Sequence, residues 1–146
     1  MVRVTRAGGR IVMGNWIPND PTLVAQILKI SSAYSPPPPE GFVSPMTWGV
    51  ESDVTERFTA AGIRADGISF QRDTYRFEYA IPPAEVVGQF RSYYGPTMNA
   101  FDAADSDGRT DELEAELVAL FEAQNESTED GTTSIPATFL RVTVAV

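Results

Sequence analysis

Ala7-Gly8-Gly9-Arg10-Ile11-Val12-Met13-Gly14-Asn15-Trp16 is the stretch that decides the fold. A Gly-Gly pair permits a tight turn that side chains with a Cβ resist, and Arg10 to Trp16 follows it as a short apolar run. Continuous rather than alternating apolarity predicts a strand covered on both faces, as in a parallel sheet. The glycines stand before the strand. A nucleotide-binding turn has its glycines after a strand, where they open into a helix whose N-terminus receives phosphate. Gly8-Gly9 therefore reads as a turn from a helix into a strand and not as a cofactor loop.

Downstream, Asp20-Pro21 reads as an N-cap followed by proline at the first helical position. Leu23, Val24, Ile27, Leu28 and Ile30 recur at helical spacing and predict a helix from Pro21 to Tyr34. Pro36 to Pro39 cannot continue it and form a stiff, extended connector. Gly41 to Gly49 reads as a loop carrying Phe42, Met46 and Trp48, and Val50 to Ala61 as a helix closed by Gly62. Ile68 to Tyr79 reads as one or two strands. Its apolar residues switch from even to odd positions, which predicts a bulge or bend near Arg72-Asp73.

Pro82-Pro83 opens a further helix with Val86, Val87, Phe90, Tyr93 and Tyr94 on its apolar side, and Gly95-Pro96 breaks it before a short helix through Met98 and Phe101. Thr110 reads as an N-cap, and Leu113, Leu117, Leu120 and Phe121 form an amphipathic stripe behind it. Asn125 to Ser134 reads as a polar loop and Thr138 to Val146 as the final strand. Strand, helix, helix, strand, helices, strand is an α/β order within one domain, the number that 146 residues suit.

The chain has no cysteine and no histidine, which excludes disulfides, thiolate nucleophiles, the usual zinc sites and Ser-His-Asp triads. No metal site is expected. The net charge is −9, and Asp102 to Asp130 holds eleven acids against one base, Arg109. That run reads as a solvated helix face. With no basic face, nucleic acid is not an expected partner. There is no apolar run of about 18 residues and no signal-peptide pattern at Met1, so no membrane partner is expected and a cytoplasmic location is. The aromatics Trp16, Phe42, Trp48, Tyr93 and Tyr94 lie at strand ends or near loops. They could line a pocket for an apolar small molecule, or pack as core and connector. Asn15 and Asn99 could orient a ligand or cap local backbone.

Three stretches together resemble a known family. Arg3-Val4-Thr5-Arg6-Ala7-Gly8-Gly9-Arg10-Ile11-Val12 resembles the helix end, Gly-Gly turn and fifth strand of class I S-adenosylmethionine-dependent methyltransferases, with Ala7 where the family usually has proline. Ser44-Pro45-Met46-Thr47-Trp48-Gly49 resembles the segment after that strand. Arg91-Ser92-Tyr93-Tyr94-Gly95-Pro96-Thr97-Met98-Asn99-Ala100-Phe101 is similar to the late helical region of the type 11 branch, akin to ubiquinone/menaquinone-biosynthesis methyltransferases.

The resemblance implies a fold. In the family, strands five, six and seven form one side of a seven-stranded sheet, with strand seven antiparallel and inserted between five and six. Residues 1–146 would then be a single partial domain, the C-terminal half of a Rossmann-like methyltransferase fold. About three strands are implied, a parallel pair plus an antiparallel last strand, with four to five helices. The implied function is that of the C-terminal, substrate-side fragment of an enzyme that methylates a small molecule, inactive alone. The family's acidic-Gly-x-Gly-x-Gly loop has no counterpart, so S-adenosylmethionine, the cofactor of the full-length family, is not expected to bind this chain alone. No catalytic residue is assigned. The substrate-side candidates are Asn15, Trp16, Met46, Thr47, Trp48, Tyr93, Tyr94, Met98 and Asn99. Truncation before the fifth strand would leave the edge of strand 10–16 open and able to self-associate. The alternative is a stand-alone small-ligand-binding or protein-interaction α/β domain without catalysis.

Overall fold

The computed structural model describes all residues, 1–146. Its elements are β1 (Arg10–Trp16), α1 (Leu23–Tyr34), α2 (Glu51–Ala60), β2 (Ile68–Tyr79), α3 (Pro83–Tyr93), α4 (Gly95–Ser106), α5 (Thr110–Gln124) and β3 (Thr133–Ala145). Short 3-10 turns occupy Val2–Val4, Pro45–Gly49 and Ala65–Gly67. The class is α/β, with a three-stranded sheet and five α-helices. No helix is long and apolar enough to cross a membrane.

The sheet order is β1-β3-β2. β1 and β3 are antiparallel, with Ile11 opposite Val144, Met13 opposite Val142 and Asn15 opposite Leu140. Along β2 the contacts to β3 run the opposite way in sequence: the Ser69 hydroxyl donates to the Thr143 carbonyl (3.5 Å), and Arg141 donates to the Gln71 side chain. Every hydrogen-bonded neighbour is therefore antiparallel. The expected parallel pair holds in direction only: β1 and β2 point the same way but are separated by β3. Coverage of β1 on both faces does not hold either. Ile11 is buried, but Val12 is 59% exposed, because strand alternation turns its side chain to the opposite face. The outer edge of β1 has no strand beside it.

β3 starts five residues before the expected Thr138. Its pairing with β1 covers only Phe139 to Ala145. Pro136 thus lies where β3 has a strand on at most one side, the kind of place in a sheet that tolerates proline. Thr133, Ile135 and Ala137 are buried, then Leu140, Val142 and Val144; the inward phase shifts from odd to even. In β2 the less exposed positions shift likewise, from Ile68 and Phe70 to Asp73, Phe77 and Tyr79.

The chain divides into two compact units. The first contains residues 1–18, 43–74 and 138–146, and the second residues 19–42 and 75–137. In the first, Ile11, Ile17, Leu140, Val142 and Val144 bury against Val54 and Phe58 of α2. Its chain ends are tied together: the Gly8 N–H donates to the Val146 carbonyl (2.6 Å), and the Val146 N–H to the Gly9 carbonyl (3.0 Å). In the second, α1, α3, α4 and α5 pack together, burying Leu23, Ile27, Val86, Val87, Phe101, Leu113 and Leu117. Phe90 meets Phe77, Tyr94 and Phe121 edge-on at 5.2–5.6 Å.

Three local readings are corrected. α1 begins at Leu23 and is capped at Thr22, not at Asp20. The Asp20 carboxylate instead accepts from the Thr22 N–H (2.9 Å) and hydroxyl (2.5 Å), shaping the turn ahead of the helix. Thr110 is the first residue of α5 and does not cap it; its hydroxyl is buried without a partner. The 41–49 loop ends in a 3-10 turn, where the Ser44 hydroxyl accepts from the Met46 N–H (3.2 Å).

That turn is fastened to β1 at Gly49. A Cβ there would lie 2.0 Å from the Trp16 carbonyl oxygen, far inside contact distance. Gly88, exposed within α3, has nothing within 4 Å of its own Cβ position. Gly49→Ala is expected to destabilise the chain by about 2 kcal/mol or more through backbone displacement, and Gly88→Ala to stabilise it by about 0.5–1 kcal/mol. Urea unfolding of both variants checks the pair; a Gly49→Ala as stable as wild type would contradict the close approach.

Tyr34 links α1 to α5 in the second unit. Its hydroxyl donates to Glu116 (2.7 Å), and the Arg109 guanidinium lies 4.3 Å from its ring centroid. Burial first, and then the Glu116 carboxylate, push the hydroxyl up from 10.0 to about 12. The folded state therefore holds the phenol proton more tightly than the unfolded chain does. This contribution is fully present below pH 10 and is lost as pH rises through about 12. Tyr34→Phe should be less stable at neutral pH, yet lose less stability than wild type across that alkaline window. Equal alkaline losses in the two proteins would show that Tyr34 is not the group responsible.

Candidate functional site

Within the first unit, the 3-10 turn brings a hydroxyl, an aromatic ring and a guanidinium together. The Ser44 carbonyl accepts from the Thr47 N–H (3.1 Å) and from the Thr47 hydroxyl (2.7 Å). This holds the Thr47 oxygen where it accepts from Nη2 of Arg57 on α2 (2.6 Å). The Arg57 guanidinium carbon lies 4.6 Å from the Trp48 ring centroid, a cation–π contact. Trp48 in turn meets Phe58 edge-on at 6.3 Å. A cleft of about 300 Å³ opens beside them, lined by Trp48, Arg57, Phe58 and Ala61 together with Met1, Val2 and Arg3.

The electrostatics of this cleft differ from those of the chain. The first unit carries seven bases and five acids, and the second four bases and fifteen acids. No acid lines the cleft. Arg64, Arg76, Arg91, Arg109 and Arg141 each hold a carboxylate. Arg3, Arg6, Arg10 and Arg72 are in no such pair but are exposed, so water solvates them. Arg57 is the one arginine that is not exposed, and its Nη1 is buried with no hydrogen-bond partner.

Of the nine candidate residues, five lie in the first unit and four in the second. Thr47 and Trp48 belong to the Arg57 constellation. Met46 is half-buried in the same turn. Asn15 and Trp16 diverge. Asn15 faces the core side opposite Leu140, with its Nδ2 buried and unpartnered, whereas Trp16 lies opposite Phe139 and meets it edge-on at 6.2 Å. In the second unit, Tyr93 is 81% and Met98 40% exposed, and Asn99 is exposed as well. Tyr94 packs on Phe90, and burial pushes its hydroxyl up from the ordinary value. Tyr93 therefore does not share the apolar side of α3 with Val86, Val87 and Phe90.

Arg57, Phe58 and Arg3 were not among the sequence candidates. Arg57 lies ten residues beyond Thr47 and reaches it only because the 3-10 turn folds back on α2. A second hollow, of about 410 Å³, lies on the uncovered sheet face over Val12, Phe70, Arg141 and Thr143. No group of three or more acidic side chains is placed to hold a metal ion.

The chain matches no protein-family model. It is similar to the uncharacterized proteins Rv1403c of Mycobacterium tuberculosis and Mb1438c of Mycobacterium bovis, with 30% identity over 121 residues in each case. The match takes in 82% of this chain and 42% of each relative. The chain thus spans less than half the length of the curated relatives it matches.

Proposed function

We propose that this chain is the C-terminal, substrate-side part of a class I S-adenosylmethionine-dependent methyltransferase that acts on a small molecule in the cytoplasm. The observation that carries the reading is the sheet order. The last strand, β3, lies between β1 and β2 and is antiparallel to both, the arrangement that the resemblance implies for strands five, seven and six. Two further observations support it. The relatives are more than twice as long as the matched stretch, and β1 has an open edge where a longer sheet would continue.

The residues of this chain do not fit the cofactor. Gly8 and Gly9 precede β1 and are bonded to Val146 rather than opening a helix, and no other Gly-rich turn follows a strand. What the chain supplies on this reading is acceptor binding. Trp48 and Phe58 offer apolar surface, and Arg57, held by Thr47, offers polar orientation, which is the main requirement of a transfer that needs its partners held in line.

Calorimetry tests the reading from both ends. The 146-residue chain should not bind S-adenosylmethionine, whereas the full-length Mycobacterium tuberculosis relative should bind it in the micromolar range. Binding by the short chain would contradict the absence of a cofactor half. Failure of the full-length relative to bind would count against the family and favour the stand-alone binding domain.

We propose a partner for the open edge as well: a second copy of this chain. An unpaired apolar edge strand is a template for strand addition. The isolated chain should show a concentration-dependent dimer in light scattering, weakened by Val12→Lys, which places a charge on the exposed side of β1. A clean monomer at high concentration would refute self-association through this edge.

A further inference from the structure

We infer that the cleft beside Trp48 binds a small, flat carboxylate, with the Arg57 guanidinium as its anchor. The inference deepens the substrate-side reading by giving the ligand its charge, and rests on that reading only in calling the ligand a methyl acceptor. Of the donors in the Arg57 fork, one bonds Thr47 at 2.6 Å, while Nη1 is shielded from water and bonds nothing. A buried donor without an acceptor is costly, and a charged one more so. The first unit has five acids, yet none lines the cleft or pairs with Arg57. None of the side chains lining the cleft supplies that acceptor.

The geometry narrows its chemistry. The Thr47 bond and the Trp48 face fix the plane of the guanidinium, and a planar fork held in place matches a carboxylate through two parallel N–H···O bonds. Trp48 and Phe58 line the same cleft and present aromatic surface for a flat apolar body. Arg3 adds a second positive charge at the lining. A volume of about 300 Å³ lies at the lower end for small-molecule pockets. A neutral ligand of the same shape would leave Nη1 without a charged partner, so the site should discriminate on charge.

Benzoate is the probe, with benzamide as its neutral isostere, each titrated into the intact 146-residue chain. The readout is the indole N–H resonance of Trp48, assigned with Trp48→Phe. Benzoate should shift it saturably, and benzamide should bind at least about tenfold more weakly. Arg57→Gln should weaken benzoate by about tenfold or more, and Arg57→Lys, which keeps the charge but loses the fork, should fall between. Equal shifts by the two probes, no shift by benzoate at tens of millimolar, or an Arg57→Gln that binds as wild type would each overturn the proposal. The first two of these need no variant, so a misfolded Arg57 mutant cannot shelter it. Failure here leaves S-adenosylmethionine binding by the longer relative unaffected, so the two readings fail separately.

Discussion

The last strand has to come back to the middle of the sheet, and the first unit depends on that return. β1 has a hydrogen-bonded neighbour on one side only, and that neighbour is β3. Ile11 and Ile17 near the start of the chain find their core partners in Leu140, Val142 and Val144 near its end. The Gly8–Val146 and Val146–Gly9 bonds close the same junction in the backbone. Contacts so distant in sequence must offset the entropy of closing a long loop before they stabilise anything. The alternating apolar residues Leu140, Val142 and Val144 are what make that closure favourable. Each strand residue buried there contributes on the order of 1.5–3 kcal/mol relative to exposure, and the gain arrives cooperatively because the strand docks as one piece.

The legible parts of the fold were those with punctuation. Gly8-Gly9 before β1, Pro82-Pro83 before α3 and Gly95-Pro96 between α3 and α4 mark their boundaries because each residue restricts or frees the backbone in a known way. The start of β3 carried opposite signals. Thr133, Ser134 and Pro136 are turn-formers, yet Thr133, Ile135 and Ala137 alternate inward as a strand requires. Composition outweighed period there, and the phase shift before Leu140 hid the continuity. Asp20 and Thr110 lie near helix starts but cap neither helix, since a short polar side chain can bond a turn, or nothing at all, as readily as a helix end. The coverage of β1 differs from expectation for a related reason. An unbroken apolar run does not distinguish a strand covered on both faces from one whose second face, at Val12, stays open.

The candidate site was legible in part. A tryptophan and a threonine in a Gly- and Pro-bounded segment point to Thr47 and Trp48; Trp48 lines the cleft, and Thr47 reaches it only through its bond to Arg57. Arg57 carries no signal in the sequence, because its partner lies ten residues back across a 3-10 turn and no helical or strand spacing relates the two. Asn15 and Trp16 could have been separated from the sequence alone: neighbours on a strand point to opposite faces. Tyr93 and Tyr94 diverge as well at the end of α3, where one turns to solvent and the other packs on Phe90.

Charge completes the argument about the cleft. A net −9 describes the whole chain, but fifteen of its twenty acids lie in the second unit. The first unit is left with more bases than acids, and two of its acids, Asp66 and Asp73, are already paired with Arg64 and Arg141. For an exposed arginine this is of little consequence, since surface ion pairs are worth about 0–1 kcal/mol and water replaces them. Arg57 is in a different position. Thr47 and Trp48 hold its plane, and its Nη1 has no hydrogen-bond partner. A guanidinium already held in one plane loses little freedom when a carboxylate enters the cleft, so its selectivity rests on rigidity present before the ligand arrives.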